Sequence, residues 1–435
     1  MDNSDFHPGG CGWVRSRAHS MMSPSNEERP RLSGTNLERA ADHNQRITLH
    51  AIRVWGQMTR VELARLTGLT APAIANITKR LMQAGLIAEA GQRRGGRGQP
   101  ATKLEICPDA CYSIGVNIDR DHITIVLVDF AGKIVARVAE DVDYASPAHV
   151  RALYQRSVPK MLAKAKVDKS RLVGLGVAMP DDLGSVELPG RPDSYAEWEK
   201  IRMEELFSGP YDLPVFREND AAAAAMGEMQ FGLGQRVSSF FYILLSAGLG
   251  GGLVVDGNYV RGANGRSGEI GFMPALRADG VSEQLQKLVS LSALAEELAS
   301  AGFTLKEALG GGPRAKAAAP CVERWIDCAA QRFTAPLAAV NCLFNPAVVL
   351  LGGRLPTHLL ELLAERVNAC LGEVGTDLPT IAPVSRATLA EDAPAVGAAI
   401  LPFSHFLLPR FAALWKAPQP GSIEAFAGHP SDERV

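Results

Sequence analysis

Arg217 to Gly271 gathers polar residues of the kind that bind hydroxyl groups. The stretch opens R-E-N-D-A-A-A-A-A-M-G-E and crosses an apolar strand at Phe240 to Leu245. It then runs S-A-G-L-G-G-G-L-V-V-D-G and closes on G-A-N-G-R-S-G-E-I-G-F. Asn219 and Asp220 stand where an extended segment, Val215 to Phe216, gives way to an Ala-rich helix. A carboxylate at a helix N-terminus is favoured in its ionised form, and the amide beside it offers both a donor and an acceptor. Ser246 to Gly252 reads as a loop whose four glycines would let backbone N–H groups approach a ligand. Glu269 supplies a second carboxylate on another glycine-punctuated loop. Singly these features are ordinary, since an Asn-Asp pair caps helices and a Gly-rich stretch makes tight turns.

The elements that must position them fill a 435-residue chain, enough for about three domains. Its apolar and charged contents, 46% and 21%, are those of a globular protein. No uncharged apolar run reaches the ~18 residues of a membrane span. The N-terminus has no apolar signal core. Seven scattered cysteines without CxxC spacing fit reduced thiols in a cytoplasm. The net charge of −2 hides an asymmetry: Asn44 to Leu104 carries ten Lys/Arg against Glu62 and Glu89, or +8, which leaves −10 elsewhere. A basic module on an acidic body points to nucleic acid at one end.

That module has its own pattern. Residues 1–40 lack periodicity and read as a disordered leader. Ile47, Ala51 and Val54 share a helical face over Asn44 to Trp55. Thr59 and Glu62 form a capping box for a second helix. Thr70 caps a third, which buries Ile74, Ile77 and Leu81 and ends at Gly85. L-I-A-E, a basic tip from Gln92 to Pro100, and T-K-L-E-I then form a hairpin. Three short helices and a basic hairpin make a winged helix-turn-helix over 41–110. Thr70, Asn76, Lys79 and Arg80 on the third helix and Arg93, Arg94 and Arg97 in the wing are the candidate DNA contacts. A solvated face is the plainer role for Lys79 and Arg80, with phosphate contact next.

Further on, Ser113 to Ile118, Ile123 to Asp129 and Ile134 to Val142 alternate as strands. Pro147 to Lys166 reads as a helix and Leu172 to Ala178 as a buried strand. Gly310 to Pro320 reads as a flexible segment before a long helix, Pro320 to Phe344. Ala347 to Leu351 is a buried strand, and Ala393 to Phe406 returns a helix to the first lobe.

The order END, GxGGG, GEIG at these spacings resembles the ROK family of repressors and sugar kinases. The resemblance runs from about Ile114 to the C-terminal helix, and the family's regulators carry a winged helix-turn-helix in front. It implies an α/β, actin-like (ribonuclease H-like) fold of two lobes around a cleft. The first lobe would be 111–220, completed by 393–410, the second 221–392, and 411–435 a tail. Asp220 matches the family's catalytic base. The kinase phosphate turn D-x-G-G-T is matched by Asn117, Ile118, Asp119, Arg120 and Asp121. Two carboxylates then stand where phosphates would lie. Like charges ~4 Å apart cost about 4 kcal/mol at intermediate dielectric, and Arg120 offsets one of them only. Phe272 replaces the zinc-site His after G-E-I-G, and the family's Cys cluster has no match, so no metal is expected.

The expected protein is a cytoplasmic, sequence-specific transcriptional regulator of repressor type for carbohydrate-related genes. Operator DNA and a small sugar-like effector are its partners, with no cofactor and no membrane. It would work as a homodimer or dimer of dimers. Asn219, Asp220 and Glu269 would bind the effector without phosphorylating it. An ATP-dependent sugar kinase with an appended DNA-binding domain is the alternative. A ligand-free DNA-binding scaffold is the third reading, because fold alone does not specify function. Arg191, Arg217 and Arg266 near the cleft would suit an acidic ligand if they faced inward, and surface ion pairs otherwise.

Overall fold

The computed structural model describes residues 37–93, 101–181, 183–184, 192–277, 279–374 and 378–409. Its first unit is the winged helix-turn-helix. Helix α1, Leu37–Trp55, starts seven residues before the expected Asn44, so the leader boundary at 40 falls inside it. A short strand, β1 (Met58–Thr59), leads into α2 (Arg60–Thr67), capped by the expected Thr59–Glu62 box. Helix α3 (Ala71–Gln83) begins at Thr70, whose hydroxyl accepts from the Ala73 N–H at 3.4 Å. The wing is β2 (Ile87–Arg93) against β3 (Ala101–Ile106), with β1 completing a sheet ordered β1-β3-β2. Leu49, Ile52, Leu63, Ile74, Leu81 and Leu104 fill its core, each at most 2% exposed.

Two lobes come next, and their sheets share one plan. The first lobe contains β4 (Tyr112–Ile118), β5 (His122–Asp129), β6 (Ile134–Asp141), β7 (Leu172–Ala178) and β8 (Val215–Glu218). They lie in the order β6-β5-β4-β7-β8, antiparallel among the first three and parallel from β4 to β8. Helices α4 (Pro147–Ala165) and α5 (Met203–Leu206) belong to this lobe, and α6 (Asp220–Phe231) comes directly after β8. The second lobe repeats the plan as β11-β10-β9-β14-β15. These are β9 (Phe240–Leu245), β10 (Leu249–Val255), β11 (Asn258–Tyr259), β14 (Val348–Gly353) and β15 (Val384–Arg386). A small hairpin, β12 (Pro274–Leu276) with β13 (Ser282–Gln284), stands apart. Around the sheet lie α7 (Leu291–Ser300), α8 (Leu305–Leu309), α9 (Pro313–Phe344) and α10 (Thr357–Val374). No repeat is visible in the sequence, yet the two sheets have the same strand directions and order. Among the described residues no helix is long and apolar enough to cross a membrane.

The last helix, α11 (Ala393–Phe406), packs on β4 and β7 of the first sheet. Its small residues lie directly on glycines of the sheet: a Cβ on Gly115 would stand 1.9 Å from the Ala395 carbonyl, and one on Gly176 1.8 Å from that of Ala398. Alongside it runs α6, whose alanines 221–225 are all buried. At Gly397 the two helices touch backbone to backbone, where a Cβ would meet the Ala223 carbonyl at 1.7 Å.

Two expectations need correction. The segment Gly310 to Pro320 is not a flexible spacer, because α9 already begins at Pro313. Proline suits the first helical turn and the Ala-rich run after it has high helix propensity, so only the glycines stay outside. Nor is Ser246 to Gly252 a loop. The turn is Ser246 to Gly248, and Leu249 onward is β10. Its glycines make room for neighbours: a Cβ on Gly250 would lie 2.7 Å from that of Ala221, and one on Gly252 2.6 Å from that of Ala225.

Candidate functional site

Between the lobes lies a cavity of about 540 Å³. Asn219 and Asp220 line it together with Glu269, which is distant from them in sequence. The β8–α6 junction supplies the first two. Asn219 caps α6, its Oδ1 accepting from the N–H groups of Ala221 and Ala222 at 3.0 and 3.1 Å, while its Nδ2 donates to Asp181 at 3.3 Å. Asp220 is 8% exposed, and its Oδ1 accepts from the Ala221 N–H at 2.8 Å. Glu269 pairs with Arg266 at 3.3 Å. Phe272, 47% exposed, presents an aromatic ring on the cavity wall.

The charge state of Asp220 departs from the sequence expectation. Helix-terminus stabilisation does not keep it ionised under all conditions. Burial, followed by the nearby Asp119 carboxylate, pushes its pKa up to about 7, against the Ala221 hydrogen bond and the Arg120 charge. The group is therefore poised to exchange a proton near neutrality.

The β4–β5 turn also reaches the cavity, through Asp119 and Arg120. Asp119 is 2% exposed and receives donors from three directions. The Arg120 N–H donates to its Oδ1 at 2.8 Å, and the Ala247 N–H of the opposite lobe to its Oδ2 at 3.4 Å. The third donor is the Arg354 guanidinium, from the end of β14, at 3.3 Å. Arg354 also holds Asp121, and its second nitrogen lies 3.8 Å from Asp141. His122 in turn bonds Asp141 at 2.6 Å. Gly353 makes this reach possible: at φ 120° it turns the chain so that the Arg354 N–H donates to the Leu245 carbonyl at 3.0 Å. Burial and Asp119 raise the Asp121 pKa, while Arg354 opposes both.

Arg354 is the residue that sequence reasoning misses. The Arg120 charge acts on Asp220 and not, as expected, through a guanidinium bond to Asp119 or Asp121; its side chain lines the cavity beside Gly248, and no partner for its Nε occurs among the described residues. The available signal is position: residues just past the carboxyl ends of parallel strands face the crevice of an open α/β sheet, and Gly352-Gly353-Arg354 ends such a strand. Of the other arginines, Arg217 lies 3.9 Å from Asp181 and Arg266 pairs with Glu269, both as ion pairs, while Arg191 lies outside the described residues. No cluster of His, Cys, Asp or Glu suited to a metal ion occurs among the described residues.

On the winged unit, Thr70, Asn76, Lys79 and Arg80 are all exposed along α3. Arg93 closes β2, and Arg94 and Arg97 at the wing tip lie outside the described residues.

Comparison with known proteins agrees with this architecture. The ROK family model matches residues 113–404. An uncharacterised protein of Sinorhizobium fredii, y4fQ, is 32% identical over 351 residues, covering 80% of this chain and 87% of that protein. The xylose repressor of Bacillus subtilis is 27% identical over 231 residues, 53% of this chain and 60% of the repressor. Among solved structures, a ROK family transcriptional regulator described as a homolog of the E. coli MLC protein superposes with a TM-score of 0.60 at 23% identity, covering 84% of this chain and 97% of that one. A ROK glucokinase of Streptomyces griseus superposes at 0.52 with 24% identity over 67% of this chain and 98% of the enzyme. These two likenesses speak for the fold. With the family match running from the first strand of one lobe to the helix that completes it, the chain belongs to the ROK family.

Proposed function

We propose that the protein is a DNA-binding transcriptional regulator of carbohydrate-related genes, of repressor type, whose cleft binds a sugar or sugar derivative without phosphorylating it. The carrying observation is the fate of Asp119. The Ala247 N–H and the Arg354 guanidinium, two donors that would suit a phosphate oxygen, both point at this carboxylate. The chain itself thus provides the anion at that point of the cleft, and a nucleotide phosphate brought there would meet Asp119 and Asp121 at short range. The same cavity keeps Asn219, Asp220, Glu269 and the Phe272 ring, polar groups suited to hydroxyls and an aromatic face suited to C–H groups.

The winged helix-turn-helix supplies the output, with the exposed Asn76, Lys79 and Arg80 toward DNA and Arg93, Arg94 and Arg97 in the wing. Relatives named as xylose and N-acetylglucosamine repressors support this reading. The protein would act in the cytoplasm as a homodimer or dimer of dimers, reading an inverted repeat.

One observation favours the kinase alternative. Asp220, with a pKa of about 7, is tuned as a general base would be. Coupled-enzyme assay with MgATP against a panel of aldoses and amino sugars separates the two. The regulator reading expects sugar-dependent rises in melting temperature without ADP formation. ADP formation that Asp220→Asn abolishes would make it an enzyme.

A further inference from the structure

Helix α6 has the candidate sugar site at one end and the winged unit at the other. Asn219 and Asp220 form its N-terminal turn. At its far end, the Gln230 carbonyl accepts from Arg53 of α1 at 3.4 Å, the Gln230 side-chain oxygen accepts from the same guanidinium, and the Phe231 ring lies 5.0 Å beneath it. Helix α11, pressed against α6 backbone to backbone at Gly397, ends on α1 as well. Arg46 donates to the carbonyls of His405 and Leu408 at 3.0 and 2.9 Å. Met226, Met229, Phe403 and Leu407 continue the same apolar core as Leu49 and Ile52.

Arg53 is an unusual contact for such a place. It is 8% exposed, and among the described residues no carboxylate forms an ion pair with it. Its Nε has no hydrogen-bond partner there. A buried guanidinium held by a carbonyl, an amide oxygen, the His50 Nδ1 at 3.4 Å and an aromatic ring has no carboxylate partner among the described residues, and losing the two Gln230 contacts leaves its charge poorly compensated. Apolar side chains can slide past one another with little change in energy. A forked donor on one carbonyl and one amide fits a single register. The arrangement therefore converts a small shift of α6 into a large change in the free energy of seating α1.

We propose that Arg53 is the positioning residue that couples the cleft to the DNA-binding unit, with α6 as the rigid element between them. This rests on the cleft being the effector site. In this scheme a ligand that bonds Asn219 and Asp220 biases where α6 sits, and Arg53 passes that bias to α1.

The test uses the full-length protein and hydrogen–deuterium exchange of the α1 amides. Asp220→Asn is compared with the parent protein in the Arg53 and Arg53→Met backgrounds. In the Arg53 background the substitution should change α1 protection by about 5-fold or more, the lower end of ordinary coupling between sites. With Arg53→Met the response should vanish, and Arg53→Lys, which keeps the charge but not the fork, should restore part of it. A merely structural Arg53 would loosen α1 in every background while leaving the Asp220 response intact, and that result overturns the proposal. So does an α1 that ignores Asp220→Asn throughout. Should Arg53→Met fail to fold, Gln230→Leu removes the acceptor instead and carries the same comparison. Calorimetric titration of D-xylose and N-acetyl-D-glucosamine, in the parent and in Arg53→Met, separates this proposal from the reading it rests on. Absence of binding with the exchange response intact counts against the sugar reading alone. Binding together with an α1 response indifferent to Arg53 counts against the coupling alone.

Discussion

Asp220 carries a pH signature that reaches neutrality. The unfolded chain releases this proton around its ordinary value of 3.8, whereas the folded chain holds it to about 7. Between those limits the folded state binds more protons, so its stability falls as pH rises, and the loss levels off above the folded pKa. Asp220→Asn removes the effect. Calorimetric melting should show the variant gaining on the parent from about pH 4 to about pH 7, with no further gain beyond. A difference that stays flat across that range would contradict the burial argument. Arg354 makes a different prediction. Its removal leaves Asp119 buried beside Asp121 without its cation, so Arg354→Ala should cost about 3 kcal/mol in urea unfolding, and Asp119→Asn in the same chain should recover part of that. At this scale the sequence is informative about Asn219, Asp220 and Glu269, because each sits in a motif whose backbone context is local. Arg354 is illegible there because its partners Asp119 and Asp121 are over two hundred positions away. The raised pKa of Asp220 is likewise hidden, since burial and the neighbouring carboxylate come from the tertiary fold.

Most elements are readable, and the exceptions share a cause. The capping box at Thr59, the Thr70 cap and the strand β8 before an Ala-rich α6 all arise from short-range patterns. The glycines of β10 mimic a ligand loop because glycine leaves the same mark whether the close neighbour is a ligand or a helix. Here the neighbour is α6 at Gly250 and Gly252, and the Gly268 carbonyl at Gly251. Gly397 is the corresponding point on α11. A methyl group there would have to displace the Ala223 backbone, so Gly397→Ala should destabilise by about 1–3 kcal/mol, as overpacking does elsewhere. It should also disturb both helices that reach α1. Unfolding by urea measures the first effect, and exchange at α1 the second. An unchanged midpoint would mean that the helices part more easily than their contact suggests.

At the scale of the whole molecule, charge and geometry divide the labour. The +8 basic module sits on a body of −10, so DNA affinity should fall steeply with salt. Each phosphate neutralised adds about 0.9 to the log–log slope, and Lys79→Ala should reduce that slope by about 1 if the side chain meets a phosphate. A slope identical to that of the parent would return Lys79 to a solvated face. Under the proposed function cleft and operator would be linked reciprocally: whatever factor a sugar applies to operator affinity, operator must apply to sugar affinity. Titrating sugar with and without a duplex selected by the parent protein should give the same factor both ways. The guanidinium of Arg354 has one further consequence at this scale. A ligand that diffuses into a site occupies it according to its concentration, but a group tethered to the chain has an effective concentration that no cell condition alters. A cleft whose phosphate end is occupied by its own side chains would respond to carbohydrate supply while remaining blind to the energy charge of the cell. Its signal would report what there is to eat and not how well fed the cell already is.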